Sequence, residues 1–286
     1  MKIIKYFFEF VFISFLLIIF KIIGYKLASN FGEKIGKFFG PFFRSEKKIL
    51  ENLELSKIGK DHIERKKILS EMWGNYGRIL SEYVHLKNFR TNKLNNLIEI
   101  KGKNYLDDIK SKNKKVVFVS GHFSNFELMA QQLEVCGLDV AAIYRPLNNI
   151  FLNKYMESIR INNICKKQIP KGKSGSRKII EYFNKGSSIA LMIDQRVSEG
   201  IKVNFFKRPA FTTTLPAQLI KKFNCEVVPI YIERKNNIYF EMTVKKPLKF
   251  DYNNSLEDIT LSLNKVLEEM IIKKPEQWIW SHNRWK

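Results

Sequence analysis

Apolar and polar positions along the chain change their spacing near residue 95. Before it, residues 45–88 carry apolar side chains at helical intervals, such as Ile68 and Met72, which predicts two helices broken near Gly59. After it, short apolar runs bounded by polar or turn residues predict β-strands. These predicted strands cover residues 116–120, 140–144, 188–194, 227–233 and 239–244.

Segments of helical length separate the predicted strands. They cover residues 125–136, 149–164, 175–184 and 213–223, and a last helix is predicted over 255–273. Alternating strands and helices are typical of a mostly parallel sheet with helices on both faces. The sequence therefore predicts an α/β fold with a central, mostly parallel sheet flanked by helices. Because no internal repeat or linker interrupts residues 27–286, we expect that range to form one domain.

A long apolar segment lies at the N-terminus. Between Tyr6 and Ile23, charged residues occur only at Glu9 and Lys21, and a bilayer span needs roughly 20 apolar residues. We therefore predict a membrane-spanning anchor helix within residues 1–26. A cleavable signal peptide fits less well, because the small-residue cleavage site is missing. A helix lying in the membrane interface is the other alternative.

The orientation of this anchor depends on the rest of the chain, because lysines flank the apolar segment at both ends. The remainder is so basic that it should resist export, which predicts a single-pass protein with its folded domain on the cytoplasmic face. Residues 27–43 hold Gly32, Gly36 and Gly40 with phenylalanines between them. This pattern is typical of an amphipathic segment at the headgroups or of an ordinary transition from loop to helix.

The chain of 286 residues has a formal net charge of +22, from 50 Lys plus Arg against 28 Asp plus Glu. Such a surface favours anionic partners, including nucleic acid, anionic lipid and acidic proteins. The lysines are scattered and form no basic stripe interleaved with aromatic residues, which argues against nucleic acid. A nonenzymatic, membrane-anchored binder of anionic lipid or nucleic acid is therefore a distant alternative.

The three cysteines, Cys136, Cys165 and Cys225, lie far apart and form no CxxC pair. No histidine lies near them at the spacing of a metal site. We expect reduced thiols, no structural zinc and no other metal.

The stretch "VVFVSGHFSNFE" places His122 where the strand over 116–120 ends, and Glu127 follows five residues later. In open α/β sheets, ligands bind outside the carboxyl ends of the strands. Imidazole is a natural general base near neutral pH, and a carboxylate on its other nitrogen fixes the tautomer. We therefore predict a catalytic dyad of His122 and Glu127. Taken alone, the pair is equally typical of a capped helix or a surface ion pair.

The segment "GHFSNFE" resembles the H-x(4)-D/E signature of the glycerolipid and lipid A acyltransferase superfamily. The resemblance to one branch, the lipid A late acyltransferases, continues through five ordered blocks. They are "IYRPLNN" from Ile143, Arg160, "DQRVSEGIKVNFFKRPAFTTTLPAQL" from Asp194, "VVPIYIER" from Val227 and "WIWSHNRWK" from Trp278. Glutamate at 127 favours this branch, since glycerol-phosphate acyltransferases typically have aspartate. Lys207 departs from it, because family members usually have glycine after "FF".

The resemblance implies an O-acyltransferase that moves a fatty acyl chain from an acyl carrier protein thioester to a hydroxyl of a Kdo-bearing lipid A precursor. Residues 27–286 would be the acyltransferase domain, at the inner membrane, without a cofactor. The implied partners are acyl carrier protein, an anionic glycolipid and the membrane, with no nucleic acid. The closest alternative is a lysophospholipid or glycolipid acyltransferase that uses acyl-CoA or acyl carrier protein.

In that reaction His122 would take the proton from the acceptor hydroxyl. A serine nucleophile is not required, because the thioester is already activated, which argues against Ser120 and Ser124. The oxyanion of the intermediate needs a basic side chain or backbone N–H groups near the start of the helix after His122.

Four further residues are predicted to bind substrate or support the site. Arg145 and Arg160 suit an anionic substrate, because guanidinium pairs bidentately with phosphate or carboxylate, although a structural ion pair is as good an explanation. Asp194 and Gln195 end the strand over 188–194 and would support the site by hydrogen bonds, with no metal at Asp194.

The C-terminal "WIWSHNRWK" surrounds His282 with three tryptophans. A second catalytic histidine is one interpretation. Packing of this segment over the sheet or at the membrane interface is the one we favour. His62 and His85 lie in the helical region without partners at telling spacing, and we expect both to be structural or exposed.

Overall fold

The structure, a computed structural model, describes residues 2–91 and 93–285 and is built around a seven-stranded sheet. Met1, in the predicted anchor, and Asn92 and Lys286, in the predicted acyltransferase domain, lie outside the described residues. The strands are β1 (Ile98–Lys101), β2 (Val117–Ser120), β3 (Val140–Tyr144), β4 (Lys167–Pro170), β5 (Ser188–Met192), β6 (Ile201–Phe205), β7 (Arg208–Thr212), β8 (Val227–Lys235) and β9 (Tyr239–Val244).

The sheet has the order β1-β9-β8-β2-β5-β3-β4, and β6 and β7 form a separate hairpin. Neighbouring strands of the sheet are parallel except for the antiparallel pair β8 and β9. This confirms the predicted mostly parallel sheet. All four residues of β2 are buried, as expected for a central strand of a sheet that is covered on both faces.

Eleven α-helices are found in the part of the chain that the structure describes. They are α1 (Lys2–Ile23), α2 (Tyr25–Phe43), α3 (Glu46–Leu55), α4 (His62–Glu82), α5 (Leu86–Arg90), α6 (Lys103–Ser111), α7 (Glu127–Val135), α8 (Ile150–Ile159), α9 (Lys173–Asn184), α10 (Leu215–Phe223) and α11 (Leu256–Lys273). The predicted break near Gly59 is confirmed, since α3 and α4 flank it and Gly59 has φ +78°.

The five predicted strands correspond to β2, β3, β5, β8 and β9, whereas β1, β4 and the hairpin were not predicted. Strands β1 and β4 have four residues each and lie at the two edges of the sheet. In β1 half-buried and exposed residues alternate, so its apolar signal is weak. An edge strand pairs along one side alone, so its formation depends on the neighbouring strand.

The hairpin turn explains the departure at Lys207. Phe206 and Lys207, which join β6 to β7, have φ +50° and +58°. Two consecutive left-handed residues are typical of a two-residue type I′ turn, where glycine is favoured. Lys207 therefore occupies a position at which the glycine of the resembling family would be less strained.

The glycines of residues 27–43 lie in α2 and allow it to pack closely on α4. A Cβ atom on Gly36 would lie 2.1 Å from the Trp73 carbonyl oxygen, and one on Gly32 would lie 2.4 Å from that of Gly77. The segment is therefore helical from Tyr25 to Phe43, with its glycines against the protein. Its phenylalanines at 38, 39, 42 and 43 remain exposed, which agrees with the predicted amphipathic character.

Helix α1 is a candidate membrane anchor. Among the described residues it is the one helix long and apolar enough to cross a bilayer. The spanning arrangement itself stays a prediction.

Candidate active site

His122 follows the central strand β2, whose carboxyl end lies between those of β5 and β8. It lines a cavity of about 550 Å³, and its side chain is 20% exposed. The ring packs edge-on against Phe126, with ring centroids 4.8 Å apart. The predicted position at the carboxyl edge of the sheet thus places the imidazole in a cavity wall.

The carboxylate that holds the imidazole belongs to Asp194. His122 Nδ1 lies 2.8 Å from Asp194 Oδ1, and the His122 backbone N–H donates to Asp194 Oδ2, also at 2.8 Å. The predicted hydrogen-bonded pairing of His122 with Glu127 is therefore wrong. Asp194 follows β5, the parallel neighbour of β2, so the two residues leave the sheet side by side. Nδ1 donates to the carboxylate, which leaves Nε2 as the unprotonated nitrogen of the neutral ring.

The charges of this pair stabilise each other. Burial alone would lower the pKa of His122, but the charge of Asp194 and its hydrogen bond outweigh burial and raise it above the usual value. Burial would likewise raise the pKa of Asp194. The His122 charge, the two hydrogen bonds from His122 and one from Trp278 hold it below its usual range instead. Asp194 is thus an ionised, fully buried carboxylate at neutral pH.

Glu127 begins α7 and makes a different set of contacts. Its Oε1 accepts hydrogen bonds from the Tyr83 hydroxyl and from Arg160, at 3.1 Å from Nη2 and 3.3 Å from Nε. Glu127 lines the same cavity as His122, but its carboxylate is directed to a cation. His122 and Glu127, five residues apart, therefore line one cavity, but their hydrogen bonds go to different partners.

The Arg160 guanidinium is fixed in the cavity wall. Its carbon lies 5.4 Å from the centroid of the Tyr144 ring, and Glu127 and Tyr83 hold two of its nitrogens. The third nitrogen, Nη1, is buried and has no hydrogen-bond partner among the described residues. Arg160 lines the same cavity as His122, and its charge acts on the His122 ring.

The C-terminal segment packs over the sheet, which confirms the favoured interpretation. Trp278, Trp280 and Arg284 are fully buried. The segment also completes the site, because Trp278 Nε1 donates to Asp194 Oδ2 at 2.9 Å. The spacing of the tryptophans gave no sign of this contact, since the two residues are 84 positions apart.

His282 reaches the cavity as well. Its Nε2 accepts a hydrogen bond from the Arg196 backbone N–H at 2.9 Å, so its proton lies on Nδ1. Burial lowers the pKa of His282, which keeps the ring neutral near pH 7. Of the other two histidines, His85 is buried and donates to the Phe20 carbonyl, and His62 begins α4. His85 is thus structural and His62 is exposed, and both outcomes agree with the expectation.

Buried contacts fix the loop between His122 and Glu127. Ser124, at φ +45°, donates its backbone N–H to the Gln277 carbonyl at 2.8 Å. Asn125 donates to Glu82 Oε2 at 2.8 Å, and Glu82 also forms a buried ion pair with Arg234 at 2.6 Å. The loop is therefore tied to the C-terminal segment, to α4 and, through Glu82, to β8.

The cavity is apolar inside and cationic at its mouth. Its inner wall is formed by Phe118, Met129, Leu133, Ala142, Ala190, Leu191 and Ile230, among others. Arg44, Arg145 and Lys171 line the same cavity and are exposed. Such a shape suits a molecule with an apolar chain and an anionic end.

The remaining predicted residues lie at this cavity with different roles. Gln195 lines it next to Asp194, and Arg145 is exposed at its mouth. Ser120 Oγ donates to the Ile230 carbonyl at 2.6 Å and is thus committed to the sheet. Among residues 2–91 and 93–285, no group of three or more His, Cys, Asp or Glu side chains has metal-binding geometry, and the three cysteines are free.

Comparison with known proteins agrees with the resemblance of the motifs. The whole chain, residues 1–286, matches the family described as "Bacterial lipid A biosynthesis acyltransferase". The chain belongs to this family. Its acyltransferase fold thus carries the His122 and Asp194 pair at the carboxyl edge of the sheet.

Individual relatives are distant but cover most of this acyltransferase. The lipid A biosynthesis palmitoleoyltransferase of Escherichia coli (strain K12) is 24% identical over 266 residues, which is 92% of this chain and 86% of the relative. The lipid A biosynthesis lauroyltransferase of the same organism is 24% identical over 267 residues, with the same coverage. Lipid A biosynthesis acyltransferase 2 of Shigella flexneri is 22% identical over 256 residues, or 86% of this chain and 80% of the relative. The family supports acyl transfer in lipid A biosynthesis.

Proposed function

We propose that this protein transfers a fatty acyl chain from an acyl carrier protein thioester to a hydroxyl of a Kdo-bearing lipid A precursor. The observation that carries the proposal is the pair of His122 and the buried Asp194 in the wall of a cavity that is apolar inside and cationic at its mouth. The apolar part suits the acyl chain, and the cationic mouth suits an anionic glycolipid or an acidic carrier protein.

His122 is proposed to act as the general base. Nε2 takes the proton of the acceptor hydroxyl while its oxygen attacks the thioester carbonyl carbon. When the tetrahedral intermediate collapses, the carbon–sulfur bond breaks and the leaving thiolate recovers that proton from the imidazolium. Asp194 stabilises the imidazolium between the two steps and keeps the proton of the neutral ring on Nδ1. The products are an ester and a free thiol.

Arg160 is proposed to stabilise the negative charge on the carbonyl oxygen. Glu127 and Tyr83 already hold the guanidinium in the cavity wall, so little reorganisation is needed when the charge develops. This assigns Glu127 a positioning role through Arg160. This positioning role replaces the role in a catalytic dyad that the motif suggested for Glu127. Gln195 and Arg145 are proposed to contact the substrate.

The positive charge of the chain supports the proposed donor and the proposed location. A net charge of +22 favours an acidic carrier protein and the anionic face of a bilayer. We propose the inner membrane, with residues 27–286 as the acyltransferase domain on the cytoplasmic face.

The test is acyl transfer by the detergent-solubilised full chain, with acyl carrier protein thioester and a Kdo-bearing lipid A precursor, followed by mass spectrometry. We expect one added acyl chain. His122→Ala should lose about 10²- to 10⁴-fold in rate while keeping its circular dichroism spectrum. Transfer only to lysophospholipids, or only from acyl-CoA, would reject this acceptor or this donor. No transfer to any of these acceptors would reject the proposed acyltransferase activity.

A further inference from the structure

A second cavity adjoins the first, and five cationic side chains are among the residues that line it. It measures about 680 Å³ and shares Arg44, Arg145, Lys171 and His282 with the catalytic cavity. We call it the cationic chamber and define its cations as Arg44, Lys48, Arg145, Lys171 and Arg196. Among the described residues that line it, Glu199 is the one acidic residue.

The five cations come from separate parts of the chain. Arg145, Lys171 and Arg196 follow β3, β4 and β5, whose carboxyl ends meet at one edge because the strands are parallel. Arg44 follows α2, and Lys48 lies in α3. Within residues 2–91 and 93–285, none of the five lies within 4.0 Å of a carboxylate oxygen. The more buried Arg78, Arg160 and Arg234 are all paired.

Resting on the proposed function, we infer that the cationic chamber binds a phosphate ester of the acceptor glycolipid while its hydroxyl reaches His122. Converging unpaired cations repel one another, and a multiply charged anion relieves that repulsion. Arginine offers the fork of donors that fits phosphate oxygens. Arg44 directly follows Phe42 and Phe43, which are 80% and 75% exposed, so the chamber lies next to an apolar surface from which a lipid headgroup can enter.

The donor also carries a phosphate ester, in its phosphopantetheine arm. The experiment therefore distinguishes binding of the acceptor phosphate from binding of the donor phosphate. Arg44→Gln and Arg196→Gln are compared with wild type on a phosphorylated acceptor and on its dephosphorylated form, each with acyl carrier protein thioester. A third arm uses an acyl-pantetheine donor, which lacks the phosphate. Arg177→Gln is the matched control, because Arg177 is exposed on α9 and lines neither cavity.

In Arg44→Gln and Arg196→Gln, we expect KM for the phosphorylated acceptor to rise about tenfold with kcat little changed. We expect no rise in KM for the dephosphorylated acceptor, and none for either acceptor in Arg177→Gln. A penalty that disappears only with acyl-pantetheine would overturn the acceptor assignment in favour of the donor phosphate. Equal penalties on all substrates would overturn the chamber as a phosphate site. Absence of transfer by wild type would instead reject the proposed function.

A separate observation concerns the path of α1 along the protein. Near its start, Asn149, which is buried and precedes α8, donates to the Tyr6 carbonyl at 2.9 Å and to Glu9 Oε2 at 3.1 Å. Near its end, His85 donates to the Phe20 carbonyl at 3.0 Å. These contacts are 14 residues apart, which is about 21 Å of helix. Helix α1 therefore stays in contact with the rest of the protein over most of its length.

The opposite side of α1 is bare and apolar. Its exposed apolar residues are Ile3, Ile4, Phe7, Phe8, Val11, Phe12, Phe15, Ile18 and Ile22. Lys2, Lys5, Lys21 and Lys26 flank this stripe at its two ends and are exposed too. The exposed phenylalanines of α2 extend the apolar surface beyond α1. Apolar residues with lysines at the ends suit one leaflet of an anionic bilayer.

The geometry points to α1 lying in one leaflet beside α2, with no crossing of the membrane. A spanning α1 would carry Asn149 and the start of α8 into a hydrocarbon core about 30 Å thick, since their contacts cover about 21 Å of the helix. Leu147 and Asn148, which precede Asn149 outside any helix or strand and are exposed, would then face lipid, and irregular polar backbone facing lipid is not tolerated there. The consequence is that the N-terminus lies on the same side of the membrane as the catalytic domain.

The side of the N-terminus can be read by protease protection. The full chain carries an epitope tag before Met1 and, in a second version, the same tag after Lys286. Both are tested in sealed inverted vesicles and in intact spheroplasts. We expect both tags to be cleaved in inverted vesicles and protected in spheroplasts. Cleavage of the N-terminal tag only in spheroplasts, with the C-terminal tag cleaved only in inverted vesicles, would establish a spanning helix and overturn the inference.

Discussion

Asp194 Oδ1 lies 2.8 Å from His122 Nδ1, although the two residues are 72 positions apart. The other oxygen of Asp194 accepts two more hydrogen bonds, from the His122 backbone and from Trp278. One buried carboxylate therefore fixes the ring, the loop before α7 and the C-terminal segment together. The predictions below follow from this arrangement and from the contacts that support it.

Asp194→Asn should lower the rate and shift its pH dependence. Asp194 raises the pKa of His122 above the usual value, and only neutral His122 accepts a proton, so wild-type kcat/KM should fall as the pH drops through that raised pKa. Without the carboxylate charge the pKa of His122 decreases, and the acidic limb moves to lower pH. The plateau should fall by about 10²- to 10⁴-fold, since the ring loses its orientation. An unchanged acidic limb in a kcat/KM profile would contradict the pairing.

Glu127→Gln should reduce kcat with a smaller shift of the acidic limb than Asp194→Asn causes. Glu127 also favours charged His122, but its hydrogen bonds go to Arg160 and Tyr83. Loss of the ion pair frees the guanidinium, and one donor to a developing oxyanion is worth about 10²- to 10³-fold in kcat. The two profiles are measured side by side. A larger shift for Glu127→Gln would restore Glu127 as the partner of the base.

Trp278→Phe should lower kcat about two- to tenfold, because it removes one hydrogen bond from Asp194 Oδ2. Trp280→Phe is the matched control, since Trp280 is equally buried but its Nε1 donates to the Pro275 carbonyl at 2.7 Å. Both variants should lose stability, and only Trp278→Phe should move the acidic limb of the pH profile. The same kinetic effect in both variants would mean that packing alone is responsible.

Glu82→Gln should destabilise the fold. Glu82 and Arg234 have side chains that are 0% and 6% exposed, and Glu82 also accepts from Ser29 at 2.6 Å and from Asn125 at 2.8 Å. Removing one charge of a buried pair costs about 3–5 kcal/mol, because the other stays buried without compensation. Urea unfolding in detergent measures the change. Glu181→Gln breaks the exposed pair with Lys185, which solvent screens, and should leave the free energy of unfolding nearly unchanged. Similar losses in both variants would refute the role of the buried pair.

The central strands of the fold could be predicted from the sequence, because an uninterrupted apolar run is buried in the folded protein. The strands over 116–120 and 227–233 are buried nearly throughout and were predicted with their type. Edge strands β1 and β4 were missed, since four residues that pair along one side carry little signal of their own. The helical state of residues 27–43 likewise depends on glycines that fit against α4, which is a tertiary contact.

By itself, the sequence determined that a histidine ends a central strand, that a carboxylate begins the next helix and that an apolar segment precedes the domain. These features depend on neighbours within a few residues or on the parallel order of strands. Only the tertiary structure decided which carboxylate binds His122, because Asp194 reaches it from the adjacent strand while Glu127 is drawn to the positive charge of Arg160. The same holds for the cationic chamber, whose five charges are dispersed over residues 44–196 and meet only because β3, β4 and β5 end at one edge of the sheet.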